Sequence, residues 1–80
     1  MSEISHLRWQ CRRGMKELDV LLEAYLNTRF GQAAPAEQYA FAALLELSDP
    51  VLMSYIVGRA SPQTEEQRCV IDALQRTSRV

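Results

Sequence analysis

Apolar residues recur at intervals of three and four along most of this chain, which is the spacing of amphipathic helices. The strongest pattern lies within residues 15–30, where a single helical face would carry Leu18, Leu21, Leu22, Tyr25 and Leu26. No segment alternates apolar and polar residues over a useful length, so the sequence predicts helices and no strands.

Two glycines bound the first two predicted helices. The first helix is expected over about residues 4–13 and the second over residues 15–30, with Gly31 after it. Gly14 lies between them, where a residue that takes a positive φ at low steric cost suits the turn. The inner face of the first helix would consist of Ile4, Leu7 and Cys11.

Prolines mark the starts of three further helices. The third is predicted from Pro35 to about Leu47, with an inner face of Phe41, Ala42, Leu44 and Leu45. Asp49 is expected to cap a short fourth helix that ends at Gly58, and Pro62 to open a fifth. The predicted fold is therefore all-α, a compact five-helix antiparallel bundle in which residues 1–80 form a single domain.

Composition narrows the functional classes. The longest apolar runs fall far short of the ~20 residues that cross a bilayer, so we expect no membrane insertion. The first residues lack a basic region followed by an apolar segment, which favours the cytoplasm. Cys11 and Cys69 stand far apart and His6 is the only histidine, so we predict no metal site and no catalytic residues.

The small net charge of −1 hides an uneven distribution. Residues 1–16 carry four cations and one acid, a local net charge of +3, whereas residues 17–56 carry six acids and one arginine, a local net charge of −5. Nucleic-acid-binding proteins usually have a broader basic excess. The asymmetry therefore favours a protein partner.

The cations beside Gly14 have a structural and a functional interpretation. Arg12 and Arg13 would lie in the last turn of the first helix and Glu17 in the first turn of the second, where each suits the helix dipole. Arg13 and Glu17, four apart, would also form an exposed salt bridge worth about 0–1 kcal/mol. The same charges could instead contact a partner, and Trp9, off the apolar stripe, either contacts a partner or packs on a neighbouring helix.

A helix-turn-helix is the alternative function class, as a nucleic-acid-binding or regulatory protein. The first two helices meet at a glycine beside arginines, the natural partners of phosphates. The outward face of the second helix would carry Glu17, Asp19 and Glu23, which DNA phosphates would repel. The acidic face argues against this alternative.

The run from Trp9 to Asp19 resembles the signature of the succinate dehydrogenase flavinylation (FAD assembly) factors, small five-helix proteins with an Arg-Gly-x-x-Glu motif after an aromatic residue. Here the motif is Arg13, Gly14 and Glu17. The resemblance continues through a second block of matching residues: Phe41, Leu44-Leu45-Glu46, Ser48-Asp49-Pro50, Leu52, Tyr55-Ile56-Val57-Gly58 and Pro62.

The resemblance implies a factor that binds the flavoprotein subunit of succinate dehydrogenase or fumarate reductase and promotes covalent attachment of FAD to one of its histidines. The family is not itself the catalyst, so the chain is expected to bind no cofactor stably. Its uneven charge and modest apolar surface suit a monomer. The resemblance implies partner contacts by the motif and its flanks: Arg8, Trp9, Arg12, Arg13, Gly14, Met15, Glu17 and Asp19.

Overall fold

The computed structural model describes residues 3–78, and this range contains five α-helices and no strand. In chain order the helices are α1 (Glu3–Gln10), α2 (Lys16–Thr28), α3 (Pro35–Leu44), α4 (Asp49–Ile56) and α5 (Glu65–Ser78). A 3₁₀ turn over Phe30–Gln32 joins α2 to α3. The all-α prediction is confirmed.

One hydrophobic core holds the helices together, and α5 packs against α2, α3 and α4. Phe41 of α3 is fully buried at its centre, with ring centroids 4.5 Å from Tyr25 and 5.6 Å from Phe30. The predicted inner faces are confirmed, except that Ile4 is 47% exposed. The buried residues of this core are Leu7, Cys11, Leu18, Leu22, Tyr25, Leu26, Phe30, Ala40, Phe41, Leu44, Leu45, Leu52, Val70, Ile71 and Leu74.

The first helix is shorter than the apolar pattern predicts. It ends at Gln10, and the amides of Cys11 and Arg12 still bond to carbonyls of its last turn. The amide of Arg13 instead donates to the Asp19 carboxylate, 2.9 Å away, so the chain leaves the helix there. Arg12 and Arg13 therefore lie beyond α1, and the prediction that they occupy its last turn is wrong.

Three other predicted boundaries are also wrong. The third helix ends at Leu44, because the amides of Glu46 and Leu47 bond three residues back and tighten the chain. The second ends at Thr28, so that Gly31 lies within the 3₁₀ turn. Pro62 is buried in a loop, and α5 begins only after Thr64, whose hydroxyl accepts a hydrogen bond from the Gln67 amide at 3.1 Å.

Asp49 does not cap α4 as predicted. Ser48 occupies the cap position, and Asp49 is the first helical residue, with its side chain turned towards Arg13. Gly58, by contrast, follows α4 as expected and has a φ of +84°.

Candidate functional site

Residues 11–15 connect α1 to α2, and we call this segment the motif loop. Gly14 has a φ of +85°, which confirms the predicted positive value and explains why the loop needs glycine there. A Cβ added to Gly14 would meet no atom of the described residues within 4 Å. The residue therefore faces open space, and any side chain placed there would project outwards.

The Arg13 side chain points into the protein and is only 12% exposed. Its Nε donates to Asp49 Oδ1 at 2.5 Å. Nη1 donates to the carbonyls of Leu45 at 2.9 Å and Gln10 at 3.3 Å, and Nη2 donates to the carbonyl of Leu47. One guanidinium thus links the end of α1, the segment after α3 and the start of α4.

Asp19 fixes the same loop from the other side. Its carboxylate accepts hydrogen bonds from the backbone amides of Arg13, at 2.9 Å, and Gly14, at 3.3 Å. An anion in the first turn of α2 is also favoured by the helix dipole. The expectation that Asp19 faces outwards is therefore wrong, because its side chain turns back to the motif loop.

The predicted pairing of Arg13 with Glu17 is not found. Arg13 pairs with Asp49, 36 positions further along the chain, and Glu17 is exposed. The geometric reason is that Arg13 precedes α2, so the two residues do not share one helix surface at the i, i+4 spacing.

The outward-facing part of the site consists of other predicted residues. Trp9 is 70% exposed, which argues against the alternative that it packs on a neighbouring helix and leaves its ring accessible to a partner. It stacks on His6 with ring centroids 6.4 Å apart. Arg12 and Met15 are exposed too, and Arg8 is half-buried. Within residues 3–78, Arg12 forms no ion pair.

Two open depressions lie at this site. The first has a volume of about 310 Å³ and is lined by Trp9, Gln10, Arg12, Arg13, Leu45 and Asp49. The second has a volume of about 580 Å³ and is lined by Lys16, Glu17, Val20, Leu21 and Thr77. The structure therefore brings Trp9 and Arg12 together, whereas Glu17 borders a different depression between α2 and α5.

Cys11, the first residue of the motif loop, is only 1% exposed, as its place on the apolar stripe predicts. Burial raises the pKa of its thiol to about 11, with Glu23 adding to the rise. The neutral thiol is the stable form, so Cys11 is a packing residue. Cys69 is exposed on α5.

Among residues 3–78 no three His, Cys, Asp or Glu side chains are grouped as a metal ion would require. The helices of this range are too short or too polar to cross a lipid bilayer. The motif loop and the adjoining helix ends offer exposed aromatic, cationic and acidic groups, which are suited to binding.

Sequence reasoning missed two long-range contacts. The first joins Asp49 to Arg13. The sequence indicated it only by the place of Asp49 in the second block of matching residues. The second joins α2 to α3: Glu37 accepts hydrogen bonds from the Tyr25 hydroxyl at 2.5 Å and Arg29 Nε at 2.9 Å. The contact with Arg29 holds the pKa of Glu37 below its usual value.

Comparison with known proteins bears on the function of this site. A family described as "Flavinator of succinate dehydrogenase" matches residues 5–78. The FAD assembly factor SdhE of Coxiella burnetii is 38% identical over 72 residues, which cover 90% of this chain and 88% of the relative. The protein of the same name from Shewanella oneidensis is 33% identical over 79 residues, covering 98% and 96%.

These matches confirm the resemblance seen in the two sequence blocks. The relatives are named as assembly factors, which favours a factor that acts on another protein over an enzyme or a helix-turn-helix protein. This chain therefore belongs to the family of succinate dehydrogenase flavinators.

Proposed function

We propose that this chain binds the flavoprotein subunit of succinate dehydrogenase and promotes the covalent attachment of FAD to it. Family membership over residues 5–78 carries the proposal. The flavoprotein subunit of fumarate reductase is a second proposed client. FAD is held by the client, and this chain acts as a monomer in the cytoplasm.

The proposed mechanism is orientation of a client that carries out its own chemistry. Bond formation between FAD and the client requires the reacting groups to meet in a narrow range of geometries. Holding reactants in such a geometry lowers the barrier by up to ~7–11 kcal/mol in the best model systems. An assembly factor can supply this by binding one conformation of the client, without a catalytic side chain of its own.

Three properties of the site support binding through the motif loop and its flanks. Trp9 offers a large exposed aromatic surface, and Trp and Arg are the residue types that most often dominate the energetics of protein interfaces. Arg12 adds a cation beside it in the same depression. Gly14 has no side chain and faces open space, so the backbone of a client can approach the loop closely at this position.

The predicted site residues then divide by role. Arg8, Trp9, Arg12, Gly14, Met15 and Glu17 form the proposed client surface. Arg13 and Asp19 belong to the site as the residues that hold the motif loop in shape, since their polar atoms contact this protein's own backbone and Asp49.

A binding experiment with the FAD-free flavoprotein subunit tests this surface. Trp9→Ala and Arg12→Ala should each weaken binding by more than about fivefold, because each removes a central contact. Tyr39→Ala is the matched control, since Tyr39 is an aromatic residue that is 79% exposed on α3 and lies outside the proposed surface. Equal binding by wild type and all three variants would show that the client binds elsewhere on this chain.

A further inference from the structure

The donors of Arg13 are almost fully occupied within the protein. A guanidinium has five N–H donors in a fixed fork. Four hydrogen bonds join it to Asp49 and to the carbonyls of Gln10, Leu45 and Leu47. Because the side chain is also only 12% exposed, it has little left to offer a client.

Asp49 is the one charged partner among these four acceptors. The others are backbone carbonyls that bond to Nη1 and Nη2, so Asp49 alone occupies Nε. Removing the Asp49 acceptor would leave this N–H donor of a largely buried side chain without a partner, which is unfavourable. The Nε donor of Arg13 therefore depends on Asp49.

Two sets of contacts hold Arg13 and the adjacent Gly14. The side chain of Arg13 is fixed to α4 by Asp49, while its own amide and that of Gly14 are fixed to α2 by Asp19. The motif loop is thus held from two directions, through side chain and backbone. Without the Asp49 contact, the loop would keep the Asp19 contacts and the carbonyl contacts of the Arg13 Nη atoms, but the Arg13 side chain would lose its only contact with α4.

We propose that Asp49 is a positioning residue for client binding: by holding the Arg13 side chain, it sets the conformation in which the motif loop presents Gly14 and Met15 to the client. This inference rests on the proposed function. On this inference, the arginine of the Arg-Gly-x-x-Glu motif binds groups within the protein. Its contact with Asp49 joins the first sequence block of the family to the second.

Two substitutions at Asp49 separate its hydrogen bond with Arg13 from the negative charge of its carboxylate. Asp49→Ala removes the acceptor of Arg13 Nε, and we expect binding of the FAD-free flavoprotein subunit to weaken by about tenfold. Asp49→Asn keeps an oxygen that can accept from Nε, so binding should stay within about threefold of wild type. This rescue is not expected if Asp49 contacts a client cation directly.

Glu46→Ala is the matched control. Glu46 is a nearby carboxylate that accepts a hydrogen bond from the Gln10 side chain at 2.8 Å and does not contact Arg13. Binding by this variant should stay within about twofold of wild type. A double variant, Arg13→Ala with Asp49→Ala, should bind no more weakly than Arg13→Ala alone, because the two residues act through one contact.

A second readout uses the free protein. The backbone amide NMR signals of Arg13 and Gly14 should shift in Asp49→Ala and stay close to wild type in Glu46→Ala. Wild-type binding by Asp49→Ala, or equally weak binding by Asp49→Asn, would overturn the inference. If wild-type protein itself fails to bind, the proposed function is wrong, and unshifted Gly14 signals in Asp49→Ala would separately show that Asp49 does not position the loop.

Discussion

Arg13 and Glu17 stand four apart in the chain, a spacing that on a continuous helix brings opposite charges together. The helix is interrupted between them, and Arg13 pairs instead with Asp49 from the start of α4. Local spacing could not reveal this partner, because the pairing depends on how α3 and α4 pack beside the motif loop. The positive φ of Gly14 could, by contrast, be predicted, because the turn itself requires it.

The two cysteines should differ sharply in reactivity. Cys69 is exposed, whereas Cys11 is buried with a pKa raised to about 11. In folded protein near neutral pH, a thiol reagent should modify Cys69 quickly and Cys11 slowly, since the thiolate is the reactive form. Mass spectrometry of partly labelled protein checks this, with urea-unfolded protein as the control in which both react. Fast labelling of Cys11 in folded protein would contradict its burial.

The raised pKa of Cys11 also predicts a loss of stability in alkali. The folded protein holds the thiol proton to a higher pH than the unfolded chain does. This contribution to the free energy of unfolding is complete below about pH 9 and is lost as the pH rises towards about 11. Urea unfolding across that range should show a shallower pH dependence in Cys11→Ala than in wild type. Parallel curves would contradict the prediction.

At the scale of elements, each predicted helix exists and its buried face is largely correct, because the period of the apolar residues is set by the helix itself. The helix ends were less predictable. The first ends when the Asp19 carboxylate takes the Arg13 amide, and the third ends where the chain tightens near carbonyls that bind Arg13. These boundaries are decided by tertiary contacts, which a single-helix pattern does not contain.

The contact between α2 and α3 yields a stability prediction. Glu37→Ala removes the acceptor of both Tyr25 and Arg29, and we expect the free energy of unfolding to fall by about 1–3 kcal/mol. Asp72→Ala is the control, because its pair with Arg76 is exposed and should contribute less than about 1 kcal/mol. Urea unfolding of both variants measures the difference. Equal losses would show that Glu37 adds no more than an ordinary surface pair.

The low pKa of Glu37 gives this contact a definite pH dependence. Its folded-state pKa lies below its ordinary value, chiefly through the hydrogen bond from Arg29. The stabilisation is therefore present above the ordinary pKa and is lost as the pH falls through the folded-state value. In acid unfolding, wild type and Glu37→Ala should converge in stability as the pH is lowered. A constant difference down to strongly acidic pH would contradict this.

At the scale of the whole molecule, the sequence was enough to locate the motif and to predict a binding site. It did not show which of the site residues face outwards and which hold the motif loop. Eight residues were expected to contact a partner. In the fold, Arg13 and Asp19 turn inwards to the motif loop's own framework, whereas Trp9, Arg12 and Met15 are exposed. The distinction required the path of the chain beyond α1, where Arg13 contacts Asp49, 36 positions further along the chain.

The most direct test of the whole account is covalent flavin in the client. Flavoprotein subunit would be produced with wild-type chain, Gly14→Arg or Gly58→Arg, and its in-gel flavin fluorescence measured after denaturation. Gly14 and Gly58 have φ values of +85° and +84°, and neither has an atom of the described residues within 4 Å of an added Cβ. The two substitutions therefore impose a similar backbone cost, of about 1–2 kcal/mol.

Only the Gly14 variant places a side chain on the proposed client surface. We expect strong fluorescence with wild type, nearly as much with Gly58→Arg, and a near-complete loss with Gly14→Arg, while circular dichroism should show both variants to be helical. Fluorescence with Gly14→Arg equal to that with Gly58→Arg would contradict binding through the motif loop.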